Sequence, residues 1–158
     1  MKLIFSFLTA FFLFFQSGLE SLRESYAKAN SSNANTEAFI NTAEKTSGSD
    51  PVIQGYKAAA KIMEAKITKQ NRKALVKSGA TDLESVIKSN SNNIELRIIR
   101  MSVQENIPKI VGYRGSLKDD KVFILANYGK QNTALKNYIK RFAAQSKTMT
   151  AEERATLK

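Results

Sequence analysis

Apolar residues recur every three or four positions along almost the whole chain. No stretch alternates apolar and polar residues long enough to make a strand. This period confines the chain to the all-α class. The expected architecture is a set of antiparallel helix hairpins, stacked as in tetratricopeptide-like (TPR-like) repeats or assembled as an irregular helical bundle. Leu19, Leu22, Tyr26 and Ala29 predict a first helix. Residues 30–35 form a polar turn with Asn35 as the expected N-cap, and Ala38, Phe39, Thr42 and Ala43 follow as a second helix. Asp50 before Pro51 marks the next start, because a carboxylate can accept a free amide and proline has none to satisfy. Val52, Gly55, Tyr56, Ala59, Ala60, Met63 and Ile67 then share a face.

From Arg72 to Ser89 the spacing of Leu75, Val76, Gly79, Leu83, Val86 and Ile87 favours one long helix, the alternative being a break near Gly79 with Thr81 or Asp82 capping a shorter one. Gly79 costs about 1 kcal/mol inside the long helix relative to alanine, which is understandable if another helix approaches closely. A helix from Ile94 to Glu105 should end before Pro108, since proline disfavours helical geometry in the residue preceding it. Ser116 to Asp119 resembles a capping box with Asp in place of Glu, opening a helix from Leu117 to about Tyr128. KVFILA within it, residues 121–126, is the one locally β-prone run and is read as a buried helix turn because of that cap. Asn132 or Thr133 opens a helix carrying Leu135, Tyr138, Ile139 and Phe142. Thr150 to Glu153 is a second box before a short final helix.

The first residues follow a different logic. Lys2 precedes an uncharged, mostly apolar run at residues 3–15, and Gln16, Ser17 and Gly18 form a polar boundary of small residues. That order is the signature of a secretory signal peptide. The run is shorter than the roughly 20 apolar residues a spanning helix needs. The reading is therefore a signal peptide at residues 1–18, cut after Ser17 or Gly18, followed by a single all-helical domain at residues 19–158. The alternative is an uncleaved anchor, the one circumstance in which the sequence implies membrane contact. Export to the periplasm or beyond follows from the first reading. Removing 18 of the 158 residues leaves 140, enough to bury a core without staples. Six of the nine phenylalanines lie in the leader, so the mature core is expected to rest on Ile, Leu, Val and Ala with few aromatics.

Composition removes several kinds of chemistry. The chain has no cysteine and no histidine, which rules out disulfides, thiol catalysis, cysteine-type zinc sites and the commonest general base. No catalytic motif, metal site or cofactor is implied. The acidic pairs Asp119–Asp120 and Glu152–Glu153 fall in predicted first turns, where negative charge suits the helix dipole. Neighbours there point about 100° apart, which does not suit an acid–base dyad.

Twenty-five Lys and Arg stand against fourteen Asp and Glu, a net charge of +11, which favours anionic partners. The densest basic stretch is Lys57, Lys61, Lys66, Lys69, Arg72, Lys73 and Lys77, with Glu64 as its single acid. Lys57–Lys61, Lys69–Lys73 and Lys73–Lys77 are spaced to share helix faces. The stretch reads as an anion-binding face or as a solvated outer surface. It has no aromatic after Tyr56, so base stacking is poorly supported, and no DNA-reading motif is present.

Arg97 and Arg100 lie in an otherwise apolar helix and need partners, for which Glu84, Glu95, Glu105, Asp119 and Asp120 are candidates. With Glu105, Asn106 and Tyr113 they form either a small anion-binding pocket or a structural ion pair that pins the irregular stretch at residues 109–115.

Residues 79–96 resemble the second helix and exit turn of a tetratricopeptide repeat. Gly79, Leu83 and Val86 stand at its small, large and small positions, and Ser91 stands where the repeat usually has proline. The match covers about half a repeat, and Val86 is larger than the usual alanine. The whole chain is also similar to small exported bacterial proteins with such degenerate repeats. The resemblance implies stacked helix pairs and a binding or scaffolding role. Three functions are thus open: a non-enzymatic envelope protein that binds a protein or an anionic component, an enzyme using Arg, Tyr and carboxylates, and nucleic-acid binding, which the leader argues against.

Overall fold

The computed structural model describes residues 18–158, and the predicted leader at residues 1–18 lies outside them except for Gly18. The described residues are mostly helical, with no strand. Eight α-helices follow in order: α1 (residues 18–28), α2 (Asn33–Lys45), α3 (Pro51–Ile67), α4 (Arg72–Ser89), α5 (Ile94–Asn106), α6 (Leu117–Asn127), α7 (Thr133–Gln145) and α8 (Ala151–Ala155). Short 3₁₀ turns occupy Lys109–Val111 and Tyr128–Lys130. No helix of the described residues is long and apolar enough to cross a membrane.

The chain forms two compact units that divide inside α4, the first ending at Gly79 and the second beginning at Ala80. In the first unit α2 packs on α3. Its core is mostly aliphatic, as the phenylalanine count implies, but its few aromatics are gathered in one place. Tyr26, Phe39 and Tyr56 are all buried, with ring centroids 4.9 Å (Tyr26–Phe39), 5.3 Å (Tyr26–Tyr56) and 6.3 Å (Phe39–Tyr56) apart. Tilted and edge-on contacts of this kind add to area burial. Leu22, Ile53 and the alanine run Ala58, Ala59, Ala60 are buried as well.

The cap of α2 is Ser32, whose hydroxyl accepts the Asn35 amide, and not Asn35 itself. Thr36 instead turns inward and donates to the Ala29 carbonyl at 2.7 Å, tying the α1–α2 turn together. Asp50 caps α3 through the Val52 amide, with Pro51 at the first helical position.

Arg72 to Ser89 is one uninterrupted helix. Gly79 marks a close crossing with α3. A β-carbon there would lie 2.6 Å from Ile62 Cγ1 and 2.7 Å from the Ala58 carbonyl oxygen. Asn71 turns the chain into α4 with φ 57°, a left-handed conformation that asparagine tolerates better than most residues.

In the second unit α5 is buried along nearly its whole length, with only Arg97 and Asn106 partly exposed. It packs on α6. The pairing is antiparallel, because Gln104 reaches Ser116 while Arg97 reaches Asp120 and Phe123. One face of α5 (Ile94, Ile98, Met101) joins Ile124, Tyr128, Tyr138, Ile139, Ala143, Met149 and Leu157 in a continuous core.

Ser116 occupies the cap position of α6 without a capping box. Its side chain makes no cap bond, and its amide donates to Gln104 Oε1 at 3.0 Å. The run at residues 121–126 is helical but buried only at Ile124. Asn132 caps α7 through the Leu135 amide. The box at Thr150 and Glu153 is complete in both directions.

Candidate functional site

Two clusters gather the residues that the sequence singles out. The first lies on α5 and what packs against it. Asp120 sits in the first turn of α6, on the side that faces α5, and its side chain is 0% exposed. Helix-dipole complementarity therefore accounts for its exposed neighbour Asp119 but not for Asp120. Arg100 grips Asp120 in a fork, Nε to Oδ2 at 2.7 Å and Nη2 to Oδ1 at 2.6 Å. Its remaining nitrogen, Nη1, donates to Glu84 Oε2 at 2.6 Å.

Glu84 projects from the second half of α4 with its side chain 42% exposed, and its other oxygen accepts the Tyr113 hydroxyl at 2.6 Å. Arg97 adds a longer contact to Asp120 Oδ1 at 3.3 Å, donates to the Ser91 carbonyl, and lies over the Phe123 ring. Its Nε is buried with no acceptor.

Electrostatics follow from this enclosure. Burial opposes the Arg100 charge, but the hydrogen bonds and charges of Asp120 and then Glu84 outweigh it, holding its pKa above the ordinary value. Burial also pushes the Tyr113 phenol up, as do the hydrogen bond and charge of Glu84, while Arg100 and Gln104 pull the other way. Tyr113 is thus a neutral donor across the physiological range. Two arginines face two carboxylates, and every nitrogen of Arg100 is committed.

Glu105 and Asn106 do not join this cluster. Glu105 is buried at the far end of α5, where its Oε1 accepts the Ser146 hydroxyl at 2.5 Å and the Thr148 amide at 3.0 Å, organising the turn between α7 and α8. Asn106 accepts the Lys147 ammonium at 2.7 Å. The five residues that the sequence groups are therefore divided: Arg97, Arg100 and Tyr113 meet through Glu84 and Asp120, while Glu105 and Asn106 serve another connection. Gln104 and Ser146, both buried, carry no sequence signal beyond their place in an apolar context.

The second cluster wraps the α3–α4 turn. Lys57 and Lys61 are half-buried on α3, and Lys61 donates to Ser78 Oγ at 3.3 Å. Lys66, Lys69, Arg72, Lys73 and Lys77 are exposed. Lys69 lies in the connection before α4, so it does not share a helix face with Lys73; Lys73 and Lys77 do share one. Lys66 reaches Asn30 Oδ1 at 2.9 Å, and Arg72 donates to the Thr68 carbonyl. Arg72 and Lys73 occupy the first turn of α4, which contains no acid. That is the positive end of the helix dipole, where cations are disfavoured.

No group of three or more carboxylates among the described residues could hold a metal ion. No protein-family model, curated protein or solved structure matches this chain.

Proposed function

We propose that this chain is an exported, non-enzymatic binding protein of the cell envelope that holds a phosphate- or carboxylate-bearing envelope component at the basic α3–α4 turn. The observation that carries this reading is the placement of Arg72 and Lys73. Both are exposed in the first turn of α4, with Lys69 just before them and no acid in that turn. Each lies at the helix end where it weakens the fold slightly. A bound anion would turn the same placement to advantage, since the dipole and the cations would then act on it together.

The leader supports export, and the helix hairpins suit a scaffold of the tetratricopeptide-like kind. The arginine cluster on α5 is read as a clamp and not as a ligand site, because its carboxylates already satisfy the donors of Arg100.

The test compares wild type with Arg72→Gln/Lys73→Gln for binding to a soluble polyphosphate, to phosphatidylglycerol vesicles and to duplex DNA across a salt series. The double variant should bind the envelope-type anions more weakly and with a shallower salt dependence. It should also be as stable as wild type, or more stable by a few tenths of a kcal/mol. Equal binding by the two proteins would end this reading, and preference for DNA would move it to nucleic acid. Export is checked by locating the expressed chain and sequencing its N-terminus, which should begin at Gly18 or Leu19.

A further inference from the structure

The segment between α5 and α6 is firmly built yet presents its apolar residues to water. Its backbone is closed by Val111 N–H to the Pro108 carbonyl (3.0 Å) and Gly112 N–H to the Lys109 carbonyl (3.1 Å). Gly112 takes φ 77°, a left-handed conformation open to glycine without cost. The base is fastened twice. Arg114 donates to the Ile107 carbonyl at 3.0 Å, and Tyr113 donates to Glu84. At the tip, Ile110 is 96% exposed and Val111 40%. Scattered apolar residues on a surface need no explanation. Here, however, two of the three exposed large apolar residues among those described are neighbours on one anchored turn.

The charge around the tip indicates what could cover it. Residues 106–118 contain Lys109, Arg114 and Lys118 and no acid. The acids nearest them are the buried Glu105 before, the exposed Asp119 after, and Glu84, which is engaged by Tyr113 and Arg100 at the base of the segment and not at its tip. Lys147 is held beside this segment by Asn106. A second copy of the chain would bring like charges together at this tip. An anionic lipid surface offers the complement in both respects: apolar depth for Ile110 and Val111, and phosphates at the level of Lys109.

We infer that the Ile110–Val111 tip seats in the interface of an anionic phospholipid bilayer, with Lys109 at headgroup level. This is membrane contact independent of the leader. It does not rest on the basic α3–α4 turn, which lies in the other compact unit.

The chain has no tryptophan, so Ile110→Trp gives a unique local reporter in the full-length protein. On phosphatidylglycerol vesicles its emission should shift to the blue and be quenched by lipids brominated high on the acyl chain. On phosphatidylcholine vesicles the shift should be much smaller. Val122→Trp, on α6, should stay water-like in both, which separates seating of the tip from tethering by the leader. Lys109→Glu in the Ile110→Trp background should weaken the response several-fold. Ile110→Ser, followed by co-sedimentation, should lower partitioning about tenfold, the scale of losing one buried isoleucine.

Unchanged emission from the Ile110→Trp variant on anionic vesicles overturns the inference. So does an equal shift on neutral ones, or a blue shift without vesicles accompanied by a doubled mass. A normal vesicle response in Arg72→Gln/Lys73→Gln would leave the tip in place even if the basic turn proved inert.

Discussion

The two compact units bury different chemistry. Up to Gly79 the interior is rings, aliphatic side chains and alanine, and apart from the phenols of Tyr26 and Tyr56 its one buried polar side chain among the described residues is Thr36. From Ala80 onward Glu95, Arg100, Ser102, Gln104, Glu105, Asp120 and Ser146 are all buried, five of them on α5. An apolar interior depends on volume and shape, and it fails gradually as atoms are removed or added. A polar interior depends on complements. Removing one partner strands another in a medium that cannot solvate it, whereas removing both can be nearly neutral.

This contrast can be broken most directly at Asp120. Asp120→Ala strands Arg100 and weakens the hold on Arg97, and should cost about 3–5 kcal/mol in urea unfolding. Arg100→Met/Asp120→Leu, which removes both charges, should recover most of that loss. If the double variant is as unstable as the single one, the cluster is not the complementary unit described above.

On the apolar side, Gly79→Ala should be destabilising by about 1–2 kcal/mol, although alanine is the better helix former. The new methyl would meet the Ala58 carbonyl and Ile62, and overpacking of this kind exceeds the propensity gain of about 1 kcal/mol. A net gain in melting temperature would show that α3 and α4 can separate freely at that crossing.

Tyr113→Phe should cost about 1 kcal/mol near neutral pH, a modest loss because water can reach Glu84 in place of the phenol. The raised Tyr113 pKa sets the pH dependence of this difference. The unfolded phenol ionises near pH 10, while the folded one stays protonated to higher pH. The stability owed to the folded phenol is thus complete below about pH 10 and declines as pH rises above it, so wild type and variant should converge in alkaline denaturation curves.

The smallest effect is expected at the surface of α8. Both Glu152 and Glu153 are held below the ordinary carboxylate range, Glu152 first by its own backbone amide, Glu153 first by Lys121 and then by the Thr150 amide. What Glu153 contributes is complete above the usual glutamate pKa and disappears as pH falls through the lowered one. Amide exchange in α8 should therefore quicken on acidification in wild type, and Glu153→Gln should show less of that change.

The arginine cluster was half legible. Two arginines among Ile98, Ile99 and Met101 announce a need for acid, and Glu84 and Asp120 stand among the sequence candidates. Spacing alone could not choose Asp120 over its neighbour Asp119, because that choice depends on which side of α6 meets α5. The same limit explains why Glu105 and Asn106, adjacent in sequence to the irregular stretch, belong to the α7–α8 turn instead. It also explains why three rings meet in the first unit. Counting phenylalanines shows how few lie beyond residue 18, but not that Tyr26, Phe39 and Tyr56 converge.

What the linear chain determined by itself is local. The period of its apolar residues set an all-helical class, and Asp50 with Pro51, Asn132, and Thr150 with Glu153 set helix starts, because capping and periodicity act within a few residues. Ser32 in place of Asn35 is a choice between two local caps, while the missing box at Ser116, whose amide is taken by Gln104, shows where a local signal yields to packing. The tertiary structure decided the partners of buried charge, the close crossing at Gly79 and the exposure of Ile110. Each depends on groups far apart in sequence being brought within a few ångströms, where desolvation and steric contact, and not propensity, set the energy.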